Sequence, residues 1–147
     1  HQRDPPFPDR PGADRRVRGF AVALLAALSL VGCASVPTCG PGERAGESAQ
    51  LFFGRNIGPT LGVDEAAFQD FVAREISPRF PSGMTILDAE GRWASQGQVM
   101  TEAAKVVVLV QAGTIERSAL SEIRAAYRDR FLQEAVLQLT APVCLTF

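Results

Sequence analysis

From residue 50 onward the sequence predicts an α+β domain with the element order β-α-β-β-α-β. Three observations predict it. Two segments carry apolar residues at helical spacing, four shorter segments read as strands, and the two strands expected at the sheet centre are the most continuously apolar. A chain of 147 residues suits one such domain with appendages.

Each element has its own signal. "QLFFGRN" (50–56) is a short apolar strand. Gly62-Val63-Asp64 leads into a helix, with Asp64 as N-cap and Glu65 favourable in the first turn. Phe68, Phe71, Val72 and Ile76 form one stripe of that helix, and Pro78 ends it. "MTILDAEGRW" (84–93) reads as a strand leading into a turn at Ala89-Glu90-Gly91. "KVVVLVQ" (105–111) has five apolar residues in a row, the mark of a strand buried on both faces. A second helix runs from about Ile115 or Ser118 to Phe131, with Leu120, Ile123, Tyr127 and Phe131 on one face. "AVLQLTA" (135–141) alternates and makes the last strand.

This order is the split βαβ, or ferredoxin-like, arrangement: a four-stranded antiparallel sheet with two helices on one face. Its first and third strands lie in the centre, here Leu51 to Phe53 and Val106 to Val110. Two helices cover one sheet face only. Yet the third strand is apolar on both sides, Val106, Val108 and Val110 on one and Val107 and Leu109 on the other. The helix-free face therefore needs a cover: a second copy, the tail ending in Phe147, or a ligand. Self-association, as a homodimer through the open face, is the favoured expectation.

The N-terminal third has a different character. Arg15, Arg16 and Arg18 precede thirteen uncharged residues, 19–31. A basic head before an apolar run and a small-residue processing site is the pattern of an export signal. The run is too short for a hydrocarbon layer that needs about 20 residues. Leu30-Val31-Gly32-Cys33 resembles the lipobox of bacterial lipoproteins. That resemblance implies cleavage before Cys33 and acylation, with palmitate-like chains, of its sulfur and new amino terminus. Several chains on one residue make a durable anchor, since each buried methylene adds about 0.8 kcal/mol. Ala34 rather than Asp follows the cysteine, which resembles cargo of the outer membrane facing the periplasm. The expected organisation is a signal peptide with lipobox over 1–32, a flexible tether over 33–49 rich in Pro, Gly, Ser and charge, and one domain over 50–147.

Setting Cys33 aside leaves Cys39 and Cys144. An exported chain meets an oxidising compartment, where a Cys39–Cys144 disulfide would persist. Two free thiols are the alternative.

Residues 33–147 hold ten basic and thirteen acidic groups, with no Lys/Arg cluster, so nucleic acid is not an expected partner. Contact with a membrane is expected through the lipid on Cys33 alone. The single histidine is His1, ahead of the cleavage point, so the mature chain has neither a Ser-His-Asp arrangement nor imidazole for a metal. Gly54, Gly58 and Gly62 are too loosely spaced for a phosphate loop. Asp88 and Glu90 beside Gly91 lack the further oxygens of a calcium loop. No cofactor or metal is therefore expected.

The remaining polar candidates for ligand binding are Arg79 after the first helix, Glu102 and Lys105 at the entrance to the central strand, Tyr127 on the second helix, and Trp93 nearby. A Glu–Lys pair beside an Arg and a Trp can bind a small anion or polarise a carbonyl. The structural alternative is an ion pair, a ring in the core and an arginine at a helix end.

"LFFGRN", "ISPRFPSGMTILDAEGRW", Glu102 and Lys105, "AAYRDRFLQEAV" and "APVCLTF" together resemble a family of small exported bacterial proteins catalogued as domain of unknown function 3574. The resemblance spans about Leu51 to Phe147. By it, the family's motif positions fall on Arg79, Phe80, Pro81, Gly83, Thr85, Gly91 and Trp93, then on Glu102, Lys105, Tyr127, Phe131, Gln133 and Glu134. The family pattern often has serine just before the lysine and just after Gln-Glu, where this chain has Ala104 and Ala135. The sequence thus favours an envelope-anchored lipoprotein whose domain is a binding, interaction or structural module. The alternative is a small ferredoxin-like enzyme acting on a carbonyl or anionic molecule near Arg79, Glu102, Lys105 and Tyr127.

Overall fold

Four strands form one antiparallel sheet in the computed structural model, which describes residues 38–147 except residue 96. The signal peptide over 1–32 and Cys33 lie outside the described residues. Strand β1 (Arg44–Gly54) is followed by a two-strand ribbon, β2 (Asn56–Ile57) and β3 (Thr60–Leu61), and by helix α1 (Glu65–Phe71). Strands β4 (Thr85–Ser95) and β5 (Gln98–Ala112) form a long hairpin, then helix α2 (Arg117–Phe131) and strand β6 (Leu137–Leu145) complete the chain. The sheet order is β4-β5-β1-β6, so the two most apolar strands are central, as expected.

Asp64 caps α1, accepting the Ala67 amide at 2.8 Å, with Glu65 in the first turn. The last turn, Val72–Ile76, widens to a π-helix, and Ser77 N–H donates to Val72 C=O at 2.9 Å. One extra residue per turn keeps Phe68, Phe71, Val72 and Ile76 all facing the sheet. Leu120, Ile123, Tyr127 and Phe131 are the buried face of α2. Between the helices and the sheet, Phe53, Phe68, Phe71, Tyr127 and Phe131 form a ring cluster with centroids 4.6–6.4 Å apart and tilted or edge-on planes.

Two expected boundaries shift. The tether expected over 33–49 ends earlier, because Arg44 to Ala49 pair with Leu145 to Thr140 of β6 and, from Gly46, with β5. Small and polar side chains there conceal a strand whose backbone has partners on both sides. The turn expected at Ala89-Glu90-Gly91 is absent. Glu90 and Gly91 are ladder residues opposite Ala103 and Glu102, and the hairpin turns instead at Gly97, whose φ of 77° suits glycine.

Cys39 and Cys144 are disulfide-bonded and close a loop of sequence separation 105. The bridge ties the segment before β1 to the end of β6. Chain entropy assigns a loop of that length about 5 kcal/mol. Cys144→Ser is accordingly expected to lower unfolding free energy in urea by several kcal/mol, and reduction of the native protein to do the same. Equal stability before and after reduction would show that the bridge does not constrain the unfolded chain.

Candidate functional site

β5 is longer than the strand it pairs with. Its first residues continue past Gly54↔Ala104, so the β4–β5 hairpin extends beyond the end of β1. The ribbon loop at Gly58-Pro59 and the segment Leu132 to Ala135 after α2 rise beside it. Between them lies a groove of ≈ 1000 Å³. Phe52, Met100 and Leu137 supply apolar walls, Trp93 a half-exposed ring, and Glu102, Gln133 and Glu134 the polar ones.

Close approach of backbone fixes Glu102. Its carboxylate lies over Gly54, where an added Cβ would meet it at 2.6 Å, and one oxygen accepts the Asn56 N–H at 2.9 Å. Gln133 donates to Asn56 C=O at 2.7 Å, and Tyr127 O–H donates to Gly54 C=O at 2.8 Å. Three side chains from three elements thus hold the end of β1, and Arg55 adds a bond from its Nε to Val63 C=O at 2.8 Å. Glu90, also on the groove wall, is held by Arg92 at 2.7 Å. The groove can hold a ligand with an apolar, flat part against Trp93 and a hydrogen-bond donor toward Glu102.

The five sequence candidates do not converge. Trp93 and Glu102 line the groove; Arg79, Lys105 and Tyr127 do not. Arg79 joins the helices, pairing with Glu75 at 3.0 Å and Glu122 at 3.2 Å. Lys105 lies on the helix side of the sheet, three residues from Glu102 and therefore on the opposite face. It is 4% exposed and bridges Asp88 at 2.7 Å and Glu65 at 2.8 Å. Those hydrogen bonds, to Asp88 first and then Glu65, hold the Lys105 pKa above its ordinary 10.5. The same contact with Lys105 lowers that of Glu65. Asp88 is the partner that sequence reading missed; register with Lys105 across the hairpin is the signal that finds it.

Tyr127 sits in the ring cluster, and burial pushes its phenol well above the ordinary 10.0. Leu132 is left-handed at φ 53° and 77% exposed on the groove rim, a conformation that disfavours a branched apolar side chain.

The family model "Protein of unknown function (DUF3574)" matches residues 48–147. The chain belongs to DUF3574. Within this DUF3574 domain, the groove is lined by Gly91, Trp93, Glu102, Gln133 and Glu134, together with Ala104 and Ala135. The other three sequence candidates, Arg79, Lys105 and Tyr127, hold the fold. Among solved structures, a phage SAM lyase in complex with S-methyl-5'-thioadenosine is similar at TM-score 0.54 and 19% identity, covering 78% of this chain and 97% of that one. CutA from Synechococcus elongatus is similar at TM-score 0.48 and 11% identity, covering 71% and 83%. The first likeness is one of fold, the ferredoxin-like fold. No curated protein sequence matches the chain.

Two measurements test this assignment. Tyr127 is the only tyrosine in the chain, so phenolate absorbance reports it alone. A raised folded pKa means that the stability Tyr127 and Lys105 contribute is complete below their ordinary values of 10.0 and 10.5. That stability then drains away as pH rises toward the folded values. Phenolate absorbance is expected only above pH 10.0, arriving together with loss of far-UV circular dichroism. Ionisation at the ordinary value in protein that keeps its dichroism would place Tyr127 in solvent. Leu132→Gly is expected to raise the urea midpoint, by about 0.5–1 kcal/mol of stability, because the left-handed cap then carries no Cβ penalty. A lowered midpoint would mean that the exposed leucine is packed in the native protein.

Proposed function

We propose that the chain is an exported, lipid-anchored bacterial envelope protein whose domain is a binding module, with the groove at Trp93 and Glu102 as its recognition site. The observation that carries the binding reading is the groove itself, where Trp93, Glu102, Gln133 and Glu134 from β4, β5 and the segment after α2 meet, while the other candidate polar groups serve the fold. Anchoring is supported by the basic head, the apolar run and Leu30-Val31-Gly32-Cys33. The disulfide supports it as well, because it uses two of the three cysteines and leaves position 33 for lipid.

Expression of the full chain in a two-membrane bacterium with an alkyne palmitate analogue tests the anchor. Label and outer-membrane fractionation are expected for the native sequence, and both are lost in Cys33→Ser. An unlabelled, soluble product retaining residues 1–32 would overturn the anchor. Because Trp93 is the only tryptophan, its emission tests the groove: a small-molecule envelope fraction is expected to shift it, and Glu102→Gln to weaken the response about tenfold. A flat response across such fractions would overturn the binding reading.

A further inference from the structure

The sheet face opposite the helices is apolar, and nothing among the described residues packs over it. Strand alternation puts Leu137 and Leu139 of β6 on this side, 57% and 50% exposed, while Gln138 turns to the helix side and meets Arg124. Phe52 and Val106 form the centre of one row, with Leu137 and Leu87 at its ends. The next row is Leu139, Gln50, Val108 and Thr85. The tail does not cover them, because Phe147 is fully exposed.

We infer that a second copy of this chain covers the face, packed sheet against sheet, with a two-fold axis crossing the strands over the Gln50–Val108 row. Three observations single out this occupant. Among the described residues of the four strands, only Arg44 and Glu102 on this face are charged. Gln50 and Val108 are direct partners; Arg44 lies six residues from Gln50 toward one end, and Glu102 six residues from Val108 toward the other, about 20 Å each way. An axis over that row therefore exchanges the two ends and sets Arg44 on the partner's Glu102, twice. The same axis brings the Gln50 amide, the one long polar side chain of these rows among the described residues, to the partner's Gln50, where each can donate and accept. An axis along the strands would instead put Arg44 on Arg44 and Glu102 on Glu102.

Size agrees with this. Four strands at about 4.8 Å spacing and a strand length of about 33 Å give a face of roughly 600 Å² per copy. Twice that clears the roughly 1,000 Å² of a specific interface. Sheets in such a sandwich lie about 10 Å apart, a depth that the leucines and valines fill. Seating Arg44 on the partner's Glu102 also closes the groove with a wall from each copy. That last consequence rests on the binding reading above; the dimer does not.

Light scattering of the full chain in mild detergent, without added ligand, tests the inference. Twice the chain mass is expected at tens of micromolar. Val108→Glu, at the centre of the face, should raise the dissociation constant roughly a hundredfold or more by burying unpaired charge, with far-UV circular dichroism unchanged. Gln50→Cys keeps the test independent of whether Val108→Glu folds: a thiol-specific bismaleimide whose reach matches the roughly 10 Å between facing sheets should link two copies through position 50 in good yield, and Arg44→Glu should reduce that yield. A monomeric native chain, a mass other than two chains, or a dimer that neither links through position 50 nor responds to Val108→Glu would each overturn it.

Discussion

A four-stranded sheet that is apolar on both faces, with helices for only one of them, is the constraint from which the rest follows. The helix side is settled within the chain. Phe53 from the central strand enters a cluster of rings from both helices, with Leu51, Val107 and Leu109 beside it. Burial of such side chains is worth about 1.5–3 kcal/mol each, so that side supplies the main drive for folding. Among the described residues, nothing covers the other side. Alternation on β6 shows this most plainly, since its leucines turn away from the helices and its glutamine toward them.

Polar groups divide along the same line. On the helix side Lys105 is buried between Asp88 and Glu65, and Arg79 clamps one helix to the other. These charges are matched and hydrogen-bonded, the condition under which burial is tolerated. At the far end of the open side Glu102 and Trp93 stand on the groove with capacity for a partner. Tyr127 joins the two regions, its ring in the core and its hydroxyl on the backbone of Gly54, above which Glu102 lies. Loss of that one hydrogen bond would leave the half-buried Gly54 carbonyl without its side-chain partner and loosen the strand end that shapes the groove.

Much of the fold was legible in the sequence because apolar spacing follows from packing. Phe68, Phe71, Val72 and Ile76 face the sheet as their spacing predicts, and Val106 to Val110 form a central strand as their unbroken apolarity predicts. The start of β1 was hidden because Arg44 to Ser48 owe their strand conformation to neighbours about 65 and 95 residues away, not to their own side chains. Ala89-Glu90-Gly91 has turn composition, yet the ladder with β5 overrides it. The candidate site was half legible. Trp93 and Glu102 meet in the groove, whereas Lys105 was paired with Glu102 by proximity in sequence, although a spacing of three on a strand puts them on opposite faces. Gln133 holding Asn56 across the groove floor has no local signal, because the two are brought together only by the closed sheet.

The account turns on whether the helix-free face is buried in the native protein. Carbene footprinting of the full chain reads this directly, by labelling side chains that solvent reaches. Leu139 and Val110 are exposed in a single chain, as is Phe147. The account predicts that Phe147 is labelled heavily while Leu139 and Val110 are protected. Equal labelling of all three would contradict it.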